Sequence, residues 1–110
     1  MAVVSSHILN SVDDTHAGGI KVRLIYLNTG EVLFDTATDA GGRLKQNVAD
    51  PDPNARYELV FQTAPYWEAQ GGLGTRTSEV VLRFSMPKPD GIYHSPIILS
   101  PTGYSVWTSN

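Results

Sequence analysis

The apolar residues of this chain fall into short, β-rich runs broken by Gly, Pro and Asn clusters, with little of the three-to-four spacing that marks a helix. Ile20-Lys21-Val22-Arg23-Leu24-Ile25-Tyr26-Leu27 alternates apolar and polar in its first half, Asn28-Thr29-Gly30 supplies turn residues, and Glu31-Val32-Leu33-Phe34-Asp35 follows. This reads as a hairpin. Arg56 to Thr63, Glu79 to Met86 and Ile92 to Leu99 are further runs rich in β-branched and aromatic residues, which favour a pleated, half-buried surface. Val3 to Leu9 and Gly103 to Trp107 add two more, so about six to eight strands are predicted, a number that suits a sandwich or barrel. One short helix is expected over Ala64-Pro65-Tyr66-Trp67-Glu68-Ala69-Gln70, with Pro near its start and Gly71-Gly72 as its stop. Asp50-Pro51-Asp52-Pro53-Asn54 reads as a rigid turn and Gly71 to Thr77 as a Gly-rich loop; neither is long enough to link two domains.

Composition narrows the picture. With 110 residues, 41% of them hydrophobic and 17% charged, the expectation is one mostly β domain spanning residues 1–110. A chain this short buries a limited share of its surface, which makes self-association a natural source of added stability. There is no cysteine, so disulfides, thiolate metal sites and thiol catalysis are excluded. Met1 to Asn10 has no basic segment followed by a long apolar run, and no stretch approaches the roughly 20 apolar residues of a membrane span. A cytoplasmic protein with no membrane partner is expected. The net charge of −3 and the scattered Lys and Arg residues give no basic surface for a nucleic acid.

Candidate chemistry rests first on three histidines, because imidazole exchanges protons near neutral pH. His16 lies in the polar stretch Asp13-Asp14-Thr15-His16-Ala17-Gly18-Gly19 and reads as a solvated surface residue. His7 and His94 lie within strands, where a polar ring needs a partner or a solvent-lined cleft. From composition alone a structural role is the favoured reading of these two, ahead of a chemical one. Their spacing gives no H-x-H or H-x-x-x-H pattern, and no metal site is expected. No P-loop, dinucleotide fingerprint or G-x-S-x-G elbow is present. Arg43 follows the turn Asp39-Ala40-Gly41-Gly42, a position from which a guanidinium can be aimed at an anion or can simply sit at the surface.

Taken together, Ser6-His7-Ile8-Leu9-Asn10, the strand from Ala17 to Leu24, Thr38-Asp39-Ala40-Gly41-Gly42-Arg43, and Tyr93-His94-Ser95-Pro96-Ile97-Ile98-Leu99-Ser100-Pro101-Thr102-Gly103-Tyr104-Ser105 resemble the 5-hydroxyisourate hydrolase branch of the transthyretin family. The resemblance runs in order along nearly the whole chain, and its C-terminal block is the most specific part. It implies a two-sheet β-sandwich with one short helix, built into a homotetramer whose active sites lie at the dimer–dimer interface. It also implies opening of a ring amide of 5-hydroxyisourate, in urate breakdown, by activated water and without metal or organic cofactor. His7, Arg43 and His94 match the family's catalytic positions: two imidazoles to move protons and a guanidinium to hold oxyanion charge.

The resemblance departs from the family pattern at two places: Arg76-Thr77-Ser78 stands where members usually have an aromatic pair and a proline, and the C-terminus differs. Members of this branch typically end in Y-R-G-S, whose side chains and terminus line the site, whereas the corresponding places here hold Trp107, Thr108, Ser109 and Asn110. These four are the expected substrate-binding residues. Trp107 brings an apolar wall in place of a polar tail residue, and Ser109 or Asn110 offers a hydroxyl or amide near the lost serine. Such a change also fits an enzyme of the same fold acting on another small cyclic substrate, in ring closure or opening. A non-catalytic carrier of a small ligand is a third reading, against which the retained histidines and arginine count.

Overall fold

In a computed structural model describing residues 1–72 and 77–109, the chain forms two four-stranded sheets and one short helix. The strands are β1 (Ala2–Asn10), β2 (Lys21–Tyr26), β3 (Glu31–Ala37), β4 (Arg43–Val48), β5 (Tyr57–Gln62), β6 (Glu79–Phe84), β7 (Ile92–Ser100) and β8 (Gly103–Val106), with helix α1 (Ala64–Ala69) between β5 and β6. One sheet has the order β4-β1-β7-β8, the other β3-β2-β5-β6. All neighbours are antiparallel except β1 and β7, which run parallel. This is the expected mostly β, two-sheet sandwich with one short helix.

The sheets meet on their apolar faces. Along β1 burial alternates residue by residue, so Val4 and Ile8 point inward while Val3, Ser5, His7 and Leu9 point outward. Val4, Ile8, Ile97 and Leu99 from one sheet and Val22, Leu24, Leu59 and Phe61 from the other belong to a single buried cluster. The alternation read from Ile20 onward appears in β2, where Val22 and Leu24 are buried between more exposed neighbours.

Local chemistry explains the boundaries. The β2–β3 hairpin closes through Leu27 to Gly30, where Gly30 takes a φ of 77° and donates to the Tyr26 carbonyl at 2.8 Å. Helix α1 begins with Pro at its first turn, buries Trp67, and ends where Gly71 and Gly72 adopt positive φ. Its Tyr66 hydroxyl accepts a bond from Asn10 Nδ2 at 2.8 Å, which ties the helix to the end of β1. Of the expected Gly71–Thr77 loop, residues 73–76 lie outside the described residues.

One strand differs from expectation: β4 was not anticipated. Arg43-Leu44-Lys45-Gln46-Asn47-Val48 carries only Leu44 and Val48 as buried apolar residues, because the strand lies at a sheet edge with a solvated outer face. A polar edge strand gives a weak sequence signal and also resists unwanted edge pairing.

The turn before β4 is tightly specified. Asp39 Oδ1 accepts from the Gly41 and Arg43 N–H groups at 2.9 and 3.0 Å, and the buried Thr38 hydroxyl donates to the Ala17 carbonyl at 2.8 Å. Gly42 has a φ of 72°, and a Cβ there would meet the Ile8 carbonyl oxygen at 2.5 Å. Gly42→Ala is therefore expected to cost at least the 1–3 kcal/mol of a strained backbone, roughly, plus displacement of Arg43. Chemical denaturation checks this; a variant as stable as the parent contradicts the reading.

Candidate active site

The outward face of the β4-β1-β7 sheet collects the residues singled out from the sequence. In the antiparallel β1–β4 pair His7 lies directly opposite Arg43, and in the parallel β1–β7 pair Ser5 lies opposite His94. Because Ser5 and His7 are two apart on one strand, their side chains share a face. Opposed residues on one face have Cβ atoms about 5 Å apart. His7, Arg43 and His94 thus occupy adjacent rows of one surface.

His94 is held by a residue that the sequence reading did not single out. Its Nδ1 lies 2.8 Å from Ser5 Oγ, a hydrogen bond that orients the ring and, among the described residues, leaves Nε2 without a partner. The available signal was parity: Ser5 stands two residues before His7 and so had to share its face. The ring borders two clefts. One, of about 450 Å³, is lined by Ser5, Asp39, Arg43, Lys45 and His94 among others. The second, of about 410 Å³, includes Phe84, Tyr93, His94, Thr108 and Ser109. Among the described residues Arg43 makes no ion pair, so its guanidinium is open to an anionic group.

The C-terminal segment reaches this site in part. Ser109 and His94 exchange backbone hydrogen bonds, at 3.0 Å from the Ser109 N–H and 3.3 Å from the His94 N–H. This pairing holds Thr108 and Ser109 on the wall of the second cleft. Trp107, whose N–H donates to the Pro96 carbonyl at 3.4 Å, is 49% exposed and lines neither cleft, so the apolar wall expected from it is not formed by this chain alone. Asn110 lies outside the described residues.

His7 lines neither cleft but sits beside Arg43, and its surroundings act on its proton. Desolvation, followed by the positive charges of Arg43 and His16, pulls its pKa below the ordinary 6.5; the Gly41 carbonyl opposes this, and His94 adds a smaller push in the same downward direction. A neutral, proton-accepting ring at neutral pH is the consequence.

His16 lies at the surface as expected, and there it meets a partner. Residues 10 to 17 fold back along the end of β1: Asn10 N–H donates to the Thr15 carbonyl, Ala17 N–H to the Ile8 carbonyl, and Leu9 pairs with His16. That register brings His16 to the outward face, diagonal to His7, and His16 Nδ1 lies 2.8 Å from His7 Nε2. The ring planes differ by 11° with centroids 4.9 Å apart, and with the nitrogens this close the rings meet edge to edge through an N–H···N bond. His16 remains exposed, as expected, but not solitary. Among the described residues no group of three or more His, Asp or Glu side chains is arranged to hold a metal ion.

With this geometry in hand, similarity to known proteins becomes informative. Residues 4–108 match the HIUase/Transthyretin family. The chain is 31% identical to a 5-hydroxyisourate hydrolase of Pseudomonas aeruginosa, over 97% of this chain and 90% of that protein. The structure of a Klebsiella pneumoniae 5-hydroxyisourate hydrolase superposes with a TM-score of 0.83, at 30% identity and with all of both chains covered. Transthyretin from Sparus aurata gives the same TM-score at 25% identity, covering 96% of this chain and 95% of that one.

The lowered pKa of His7 links protonation to folding. Below about pH 6.5 the unfolded chain binds a proton at this position more readily than the folded one, so this contribution to stability is intact above 6.5 and is lost as pH falls through it. An NMR titration is expected to place the His7 midpoint below 6.5, and His7→Gln to flatten the dependence of stability on pH just below that value. A midpoint at or above 6.5 contradicts the electrostatic account.

Proposed function

This chain belongs to the HIUase/Transthyretin family, and from its site we infer that it is a hydrolase opening the ring amide of 5-hydroxyisourate with water. The observation that carries this reading is the common face of His7, Arg43 and His94, held in adjacent rows by the β4-β1-β7 pairing. Neutral His7 takes a proton from water as the water oxygen bonds to the amide carbonyl carbon. The carbonyl oxygen gains negative charge, which the guanidinium of Arg43 stabilises by charge-assisted hydrogen bonds. His94, oriented by Ser5, gives a proton to the ring nitrogen through Nε2 as the C–N bond breaks. Every step uses side chains of this protein, water and substrate, which is why no metal or organic cofactor is invoked.

Thr108 and Ser109 contact the substrate from the second cleft, and Trp107 joins them once a second copy covers the face. The assembly is a homotetramer with its sites at the dimer–dimer interface. In support, Ile92, Ile98 and Trp107 are exposed, and β7 points Ile92 and Ile98 to the same side as His94, so exposed apolar side chains lie beside the catalytic row. Among the described residues, no helix is long and apolar enough to cross a membrane.

The test is the decay of freshly generated 5-hydroxyisourate, followed by ultraviolet absorbance. Rapid decay is expected with the parent protein, falling by roughly 10²-fold or more in His94→Ala, the usual range for loss of a positioned acid or base. No acceleration by the folded parent refutes the activity, and an unchanged rate in His94→Ala refutes the role given to His94. Light scattering is expected to report four chains; a stable monomer contradicts the assembly.

A further inference from the structure

The contact between His7 and His16 is not accounted for by the reaction as written above. Two imidazole nitrogens 2.8 Å apart share at most one proton between them, because two N–H groups cannot both point into that gap. The protons of the two rings are therefore not independent, and the rings differ in surroundings. His7 is half-buried, stands opposite Arg43 and feels the charge of His94, all of which disfavour a proton resting on it. His16 lies further out, on an exposed turn whose own acids are Asp13 and Asp14. The other charged groups around the pair are Asp39, which anchors the turn before Arg43, and Lys45, two residues along from Arg43 on the same face.

Resting on the hydrolase reading, we propose that His16 is a positioning and relay residue that receives, across the bridge, the proton His7 takes from water. In the resting pair one proton lies in the gap between His7 Nε2 and His16 Nδ1. The pair gains one proton from water as the water oxygen bonds to the carbonyl carbon, and the added positive charge settles across the bridge on His16, away from Arg43. His16 then gives up one proton to bulk water, so the pair is again neutral with a single bridging proton, and His94 regains from solvent the proton it gave to the leaving nitrogen. Nothing is oxidised or reduced. The arrangement lets a half-buried base return its proton to solvent without holding positive charge next to the guanidinium that must serve the oxyanion.

The experiment compares the parent with His16→Ala and His16→Asn. Asparagine can keep a hydrogen bond to His7 but cannot carry the proton. Both variants are expected to lose about tenfold or more in kcat with little change in KM, and added imidazole is expected to restore part of the activity of His16→Ala. Parent-like kcat in His16→Ala overturns the proposal, and so does full rescue by Asn, which leaves only an orienting role. A second measurement needs neither variant nor substrate: NMR of the ring nitrogens in the parent is expected to show a nitrogen–nitrogen coupling across the bridge between His7 Nε2 and His16 Nδ1. No coupling across that gap overturns it. A parent that does not open 5-hydroxyisourate refutes the hydrolase reading alone, and the NMR result still decides the proton-sharing pair.

Discussion

The pairing register of β1 is the constraint on which the rest of the molecule depends. It is an inner strand of its sheet, antiparallel to β4 on one side and parallel to β7 on the other, and its side chains alternate between core and outer face. A slip of one residue against either neighbour would turn Val4 and Ile8 to solvent and His7 into the core, so burial of the apolar set and alignment of the polar set are enforced together. With each fully buried aliphatic side chain contributing about 1.5–3 kcal/mol, the apolar half of the strand supplies the energy that holds the polar half in place. The row of residues proposed as catalytic is thus the reverse side of the core.

Around the end of β1 the backbone is woven closely enough to exclude alternatives. Ile8 N–H donates to the Gly42 carbonyl while its own carbonyl accepts from Ala17, and Gly19 and Thr38 are joined in turn. Two turns, one leading into Arg43 and one leading into His16, therefore share a single frame. Their glycines and acids serve this geometry rather than chemistry: Gly42 lets the chain pass the Ile8 carbonyl, and Asp39 supplies the carboxylate that closes the turn. A guanidinium carried on such a frame is pre-positioned for developing charge instead of being recruited at the moment of reaction.

The parts of this arrangement that were legible in the sequence were those with a dense apolar signal. Runs such as Tyr57 to Gln62 and Ile92 to Ser100 are β-branched and aromatic and formed strands close to their expected limits. The edge strand from Arg43 to Val48 was illegible for the opposite reason, since two buried residues in six leave no run to read. Resemblance to a family pointed to His7, Arg43 and His94, whereas Ser5 and His16 depend on register and emerge only once the pairing is known. His16 in particular looked like part of a polar loop, because the fold-back that carries it is stabilised by backbone bonds that leave no compositional trace. The departure at the C-terminus was visible as a change of residue types, but not the backbone pairing that holds Ser109 against His94.

If His7, Arg43 and His94 act on one transition state, their contributions must be interdependent, and a double-variant comparison measures that directly. The values of kcat/KM for 5-hydroxyisourate would be determined for the parent, Arg43→Ala, His94→Ala and the variant carrying both. Groups that work as a unit show strong non-additivity, so the double variant is expected to lose far less than the product of the two single losses. Losses that multiply in full would mean that the two residues act independently, and would contradict a single catalytic row on the outer face of β1.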